Sequence, residues 1–254
     1  MKRTFALVFG ACLAAAGCKS VTGEVDFATD AKTNLARGSE ELRNHNYQQA
    51  EKYFEYVRSK YPFLDASKEA ELRLADVDFA RDQFTEAKDR YANFAKLHPT
   101  HPKADYAAFR VGMCTYEQMP SDFFLVPPSY EKEQVAIKST LTSMEDFVKN
   151  YPQSTYVPEG KKIITEVSRR LAKHEIYVAD FYEKRDKWAA VVGRLENVVN
   201  KYPGVGYDEQ ALFRLHDAYL KLQDSQHAQE ALQKIIERFP GTEAAERAKK
   251  MLGP

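Results

Sequence analysis

AEKYFEYVRSKYP occupies residues 50–62, and its spacing decides the fold. Counting back from Pro62, Ala50 stands twelve residues away, Phe54 eight and Val57 five. Steps of four and three residues hold those side chains on one face of a helix, and the proline ends it. The arrangement returns four more times. AKDRYANFAKLHP at 87–99 carries Ala87, Tyr91 and Phe94, and TLTSMEDFVKNYP at 140–152 carries Thr140, Met144 and Phe147. VVGRLENVVNKYP at 191–203 carries Val191, Leu195 and Val198, and AQEALQKIIERFP at 228–240 carries Ala228, Leu232 and Ile235. The residue twelve back is small or medium in every copy, which lets a neighbouring helix approach.

A small, then a large, then an apolar residue before a terminal proline is the tetratricopeptide pattern. Twenty-four residues before the prolines stand Gly38, Ala75, Ala179 and His216, where the first helix of each pair packs on the second. In the third copy that position is Pro128, so its first helix must lie earlier, at about 103–118, with SDFFLVPPSYEK as a long loop. The prolines are spaced 37, 53, 51 and 37 residues apart. The extra residues of the second interval fall in the proline-bearing loop at 119–130. Those of the third lie in a stretch without proline or glycine between Lys161 and Lys187, close to four added turns of helix. The expectation is an all-α tetratricopeptide-repeat superhelical solenoid of five helical hairpins, at 30–62, 67–99, 103–152, 158–203 and 207–240. A short last helix follows, with Thr242 as its N-cap and Ala248 exposed upon it.

The N-terminus has a separate purpose. Lys2 and Arg3 precede thirteen residues from Thr4 to Ala16 that carry no charge. A bilayer-spanning helix needs roughly 20 apolar residues, so residues 1–17 read as a secretory signal. LAAAGCKS at 13–20 resembles the lipobox of bacterial lipoproteins, in which Cys18 would be acylated. Leu is usual where Ala15 stands. Lys19 after the cysteine favours the outer membrane, and 18–29 reads as a lipidated N-terminus with a flexible tether. Cys12 leaves with the signal and Cys18 is consumed by lipid, so Cys114 is a lone thiol, read as a small buried apolar residue.

The whole chain holds 37 basic and 37 acidic residues. Loss of Lys2 and Arg3 leaves 35 against 37, a net charge of −2 for the mature chain. A nucleic-acid partner calls for a clustered basic excess, which is missing. Phosphate loops, nucleophile elbows and zinc-type histidine pairs are missing too. His98 and His101 in HPTHP read as a stiff turn, and His174 as a residue on a solvated face. No catalytic residue, metal or cofactor is expected, and the chain reads as a non-enzyme. Arg73 and Arg110 each stand eleven residues after a repeat proline, as does Arg214. In adjacent repeats, Arg73 and Arg110 should project side by side into one concavity with Tyr106 nearby. Guanidinium groups there would fork onto carboxylates.

RSKYPF at 58–63, HPTHPKADYAAFR at 98–110 and above all residues 169–203 resemble the BamD family over roughly 27–240. That family comprises lipoproteins, built of five such repeats, of the machine that inserts β-barrels into the bacterial outer membrane. The resemblance implies a chain hanging from the inner leaflet of the outer membrane into the periplasm. It implies N-terminal repeats that receive unfolded barrel proteins in the Arg73, Arg110 and Tyr106 groove. It implies C-terminal repeats that dock the POTRA domains of the barrel subunit, through Tyr182, Arg185, Trp188 and Arg194 of FYEKRDKWAAVVGR. Arg185 and Arg194 are the stronger contact candidates, because a core gains little from their charge, whereas Trp188 also suits packing between two helices. Other assembly lipoproteins are implied as partners. Alternatives are another tetratricopeptide lipoprotein, such as a pilotin escorting a secretin, and a scaffold for envelope enzymes.

Overall fold

The computed structural model of the chain describes residues 25–119 and 134–253. Cys18 and most of the 119–130 loop lie outside the described residues. The first hairpin is α1 (Ala31–Arg43) with α2 (Tyr47–Lys60), and the second is α3 (Asp65–Ala80) with α4 (Phe84–Leu97). The third pairs α5 (Ala104–Glu117) with α6 (Val135–Asn150), and the fourth α7 (Val157–Glu183) with α8 (Trp188–Lys201). The fifth pairs α9 (Asp208–Lys221) with α10 (Ser225–Arg238), and α11 (Glu243–Leu252) closes the stack. Each helix packs on its neighbour in the chain, and α1 also meets α3.

The repeated positions hold the hairpins together. Phe54, Val57, Tyr91, Phe94, Met144, Leu195, Val198 and Ile235 have no exposed surface. Full burial of such side chains stabilises by about 1.5–3 kcal/mol each. Twelve back from the prolines, Ala50, Ala87 and Thr140 are also sealed. Close approach is tight at Gly38, where an added Cβ would stand 2.7 Å from Phe54 Cε1. Gly112 takes the same place in the third hairpin, with Met144 Sδ 2.7 Å from such a Cβ. Counting back from Pro152 misses it because the loop intervenes.

Four first helices end alike. His45, Asp82, Asp186 and Gln223 follow α1, α3, α7 and α9, each with φ between 55° and 60°. The next residue's N–H reaches five residues back, as in Gln83 to Asp78 and Asp224 to Tyr219, both 2.9 Å. A left-handed residue that closes a helix this way is the Schellman ending, usually built on glycine. Each of these residues stands seventeen positions before its repeat proline.

The 27-residue α7 is about 40 Å long. Its first half packs on α6 through Gly160, whose added Cβ would meet Phe147 at 3.2 Å. Further along, Ala179 faces the fourth hairpin's core. The inserted turns thus let one helix serve two neighbours.

Three expectations are corrected. Ala248 is fully buried, because Ala244, Ala245 and Ala248 form a small-residue face that seats α11 on the last hairpin. His174 is half-buried on α7. The tether is fixed over 26–29: Phe27 stacks on Tyr56 at 4.2 Å, and Tyr61 Oη donates to the Thr29 carbonyl at 2.9 Å. Thr242 caps α11 as expected, accepting from the Ala245 N–H at 3.3 Å. Cys114 is buried, and burial pushes its thiol up to about 12.

Candidate functional site

The first helices of repeats two and three, with the turn before α7, wall an open cleft of 460 Å³. Leu72 and Arg73 come from α3, Asp105 and Tyr106 from α5, and Tyr156 from the residue before α7. Asp76 organises its floor. One carboxylate oxygen accepts from Tyr91 Oη at 2.6 Å and Tyr106 Oη at 2.8 Å, and the other from Arg73 Nη1 at 2.9 Å. Burial, and then the Asp76 charge, push both phenols well above the ordinary tyrosine value. Both hydroxyls therefore act as fixed donors.

Arg73 and Arg110 do not stand as two free guanidinium groups side by side. Arg73 is held by Asp76 and by Glu69, 2.9 Å from each. Lys103 Nζ also reaches Glu69 at 2.6 Å. Burial would raise the Glu69 carboxyl, but Lys103 and Arg73 together hold it below its ordinary value. Arg110 lies one turn beyond Tyr106, its guanidinium 3.7 Å from the centre of the Phe79 ring. Its Nε is buried without a hydrogen-bond partner. Cation–π contact with Phe79 offsets part of that desolvation. Eleven-residue spacing found the two arginines, whereas Asp76 joins groups 15 and 30 positions away and has no sequence signature.

The cleft holds opposed charges already matched, with aromatic walls. Tyr156 stacks on Phe109 with ring centres 5.0 Å apart and lies 5.7 Å from Tyr106. A peptide carboxylate entering here would compete with Glu69 for Arg73 and Lys103.

The fourth-repeat residues divide. Arg185 is exposed in the α7–α8 turn, 3.6 Å over the Phe181 ring, and donates to the Phe181 carbonyl at 2.8 Å. Phe181 and Tyr177 are exposed one turn apart on α7. Tyr182 and Trp188 are half-buried against the core. Arg194 corrects the expectation that its charge gains little from a core. Its Nη1 donates to Glu175 at 3.2 Å, and that carboxylate, 7% exposed, is shared with Asn197. A buried carboxylate needs such partners. Arg214, on α9, is bound to Asp180 and Glu183.

Among the described residues, no group of three or more His, Cys, Asp or Glu side chains is placed to hold a metal ion. His98 Nε2 meets Glu71 at 3.0 Å in the inter-repeat turn. No helix among them is long and apolar enough to cross a membrane.

The family model described as YfiO, outer membrane lipoprotein, matches residues 28–235. Outer membrane protein assembly factor BamD of Caulobacter vibrioides is 26% identical over 204 residues, covering 80% of this chain and 64% of that protein. The chain therefore spans 64% of the length of that relative. BamD of Pasteurella multocida is 27% identical over 188 residues, covering 73% of this chain and 72% of its own. BamD of Neisseria gonorrhoeae is 25% identical over 207 residues, covering 81% and 78%. Among solved structures, the TPR2AB-domain–pHSP90 complex of yeast Sti1 aligns over 87% of this chain and 82% of that one. Its TM-score is 0.42 at 12% identity.

Proposed function

The chain belongs to the YfiO family of outer membrane lipoproteins, and from that membership we propose that it is a non-enzymatic part of the machinery that assembles β-barrel proteins into the outer membrane. The match over 28–235 carries the reading, and the similarity to relatives named assembly factors supports it. Acylated Cys18 tethers the chain to the inner leaflet, and the solenoid extends into the periplasm. Stable anchoring takes two lipid signals, which a triacylated cysteine exceeds.

Two surfaces divide the work. The C-terminal repeats dock the POTRA domains of the barrel subunit through the α7–α8 turn. There Arg185, with Phe181 and Tyr177, is exposed, and Tyr182 and Trp188 hold the turn in place. Aromatic side chains and arginine are the residue types that anchor protein interfaces. The cleft receives unfolded barrel substrates. Tyr106 and Tyr156 offer aromatic walls, and Arg73 stands beside Lys103.

The test uses a purified POTRA fragment and a peptide ending in an aromatic residue with a free carboxylate. Arg185→Glu should weaken the fragment at least tenfold and leave the peptide unchanged. Tyr106→Ala with Lys103→Glu should do the reverse. Arg185→Glu binding the fragment like wild type, or the cleft variant losing only the fragment, refutes the two-surface reading. Intact mass of membrane-extracted protein should show acyl groups on Cys18, and an unmodified N-terminus elsewhere refutes the anchor.

A further inference from the structure

The edge of the solenoid where α2 and α4 end carries side chains that the fold does not use. Phe63 is 99% exposed, Leu64 51% and Leu97 65%. Asp65 and Lys68, at the start of α3, line one 580 Å³ hollow with Leu97 and the turn that follows it, so these residues share that edge. Lys60 and Lys96 are exposed at the ends of α2 and α4. Lys68 is matched by Asp65 at 2.7 Å and adds no net charge. Large aromatic and aliphatic side chains standing in water with basic neighbours are the composition of an interfacial lipid contact.

The N-terminal segment ties this edge to the anchor. Thr29 is bonded to Tyr61, two residues before Phe63, and the chain then runs back along α2 until the Asp26 carbonyl meets Arg37 Nη1 at 2.6 Å. Phe27 packs edge-on against Tyr53 and flat on Tyr56. Tyr53 and Tyr61 are about 12 Å apart along the helix. The chain from Cys18 to Val25 spans at most about 25 Å. That reach holds the first repeat close to the membrane and permits either edge to face it. Beside the first two repeats the other edge presents the α1–α2 turn of Asn44, His45 and Asn46 and the α3–α4 turn of Arg81, Asp82 and Gln83, with no exposed large hydrophobic side chain. Phe181, Leu220 and Leu222 of that edge stand in the last two repeats. Apolar surface decides between the two.

We propose that the edge carrying Phe63, Leu64 and Leu97 rests in the headgroup region of the bilayer, making a second membrane contact beside the lipid anchor. This rests on the reading of Cys18 as acylated. One lipid tether alone leaves a solenoid free to swing. A tip inserted beside the cleft, with Pro102 lining both hollows, orients the first helices relative to the membrane. Basic helix ends at Lys60 and Lys96 add attraction to anionic lipid.

Phe63→Cys in the full acylated chain accepts a nitroxide label, because Cys114 is buried and Cys18 carries lipid. Gln48→Cys, exposed at the start of α2, labels the opposite edge. Both proteins are reconstituted on vesicles of phosphatidylethanolamine and phosphatidylglycerol, and flotation reports attachment separately. Access of a water-soluble nickel chelate to residue 63 should fall several-fold on vesicles and stay unchanged at residue 48. Leu64→Glu in the labelled chain should restore that access, and Cys18→Ala should leave residue 63 open to water. Protein that floats with residue 63 as accessible as residue 48 overturns the proposal and leaves the anchor standing. Shielding only after the barrel subunit is added assigns the edge to a protein partner and overturns it as well. Failure of the wild-type chain to float overturns both readings.

Discussion

Arg194→Glu separates a folding defect from a docking defect, and the structure sets its size. Arg194 is 38% exposed on its side-chain atoms, and its partner Glu175 is 7% exposed. Removing one member of a buried pair costs about 3–5 kcal/mol. Here the open face of Arg194 and the remaining Asn197 bond reduce that, so Arg194→Met should lose about 1–3 kcal/mol. Inversion adds a second carboxylate. Two like charges about 4 Å apart repel by about 4 kcal/mol at an effective dielectric constant near 20. Rotation of the new side chain into solvent relieves much of it, leaving a total loss of about 3 kcal/mol for Arg194→Glu. Adding Glu175→Gln removes the repulsion and should recover more than half of that loss. Repeat arrays unfold piecewise, so urea unfolding should be read with hydrogen exchange on α7 and α8. The reasoning is refuted if Arg194→Glu leaves exchange on those helices unchanged, or if Glu175→Gln fails to rescue it. Any loss of partner binding by Arg194→Glu is therefore to be compared with Arg185→Glu, whose side chain lies in the exposed turn.

Gly38→Ala and Gly193→Ala should move stability in opposite directions. A Cβ at 38 meets the Phe54 ring and Tyr53 Cβ, so overpacking of about 1–3 kcal/mol exceeds the helix gain of about 1 kcal/mol. At 193 nothing lies within 4 Å and the full gain remains, so equal denaturation midpoints would count against the packing. Gln223→Gly relieves a left-handed residue at φ 60° and should stabilise the fifth repeat by about 0.5–1 kcal/mol in hydrogen exchange. Glu69→Gln should cost about 1 kcal/mol at neutral pH. The Glu69 carboxyl titrates below its unfolded value, so its contribution is present above about pH 4.3 and lost as pH falls through the folded value. Acid unfolding of wild type and variant should therefore converge once the pH has fallen below the folded value, and a gap that persists at the acid end of the titration refutes the pairing.

Ala50, Phe54 and Val57, with their counterparts before four later prolines, determined the all-helical repeat fold without reference to anything distant. Helical periodicity is local, and a proline stop is local, so a single chain displays both. The fourteen extra residues before Pro203 were legible as added turns for the same reason. Gly112 escaped because its partner Met144 is found by contact, across an intervening loop. The left-handed endings at His45, Asp82, Asp186 and Gln223 escaped because ordinary side chains stand where glycine would have announced the turn.

Charge was the least legible property. Arg73, Arg194 and Arg214 all read as groove or surface cations, because sequence gives a charge no address. Folding supplied Glu69 and Asp76 for the first, Glu175 for the second, and Asp180 with Glu183 for the third. Ala248 shows the same limit for an apolar residue: its neighbours in the chain are charged, and only the seating of α11 on α10 buries it. Periodicity along one helix determined which face turns inward. Which polar groups meet across that face depends on the packing of helices far apart in the chain, and only the tertiary structure decided it.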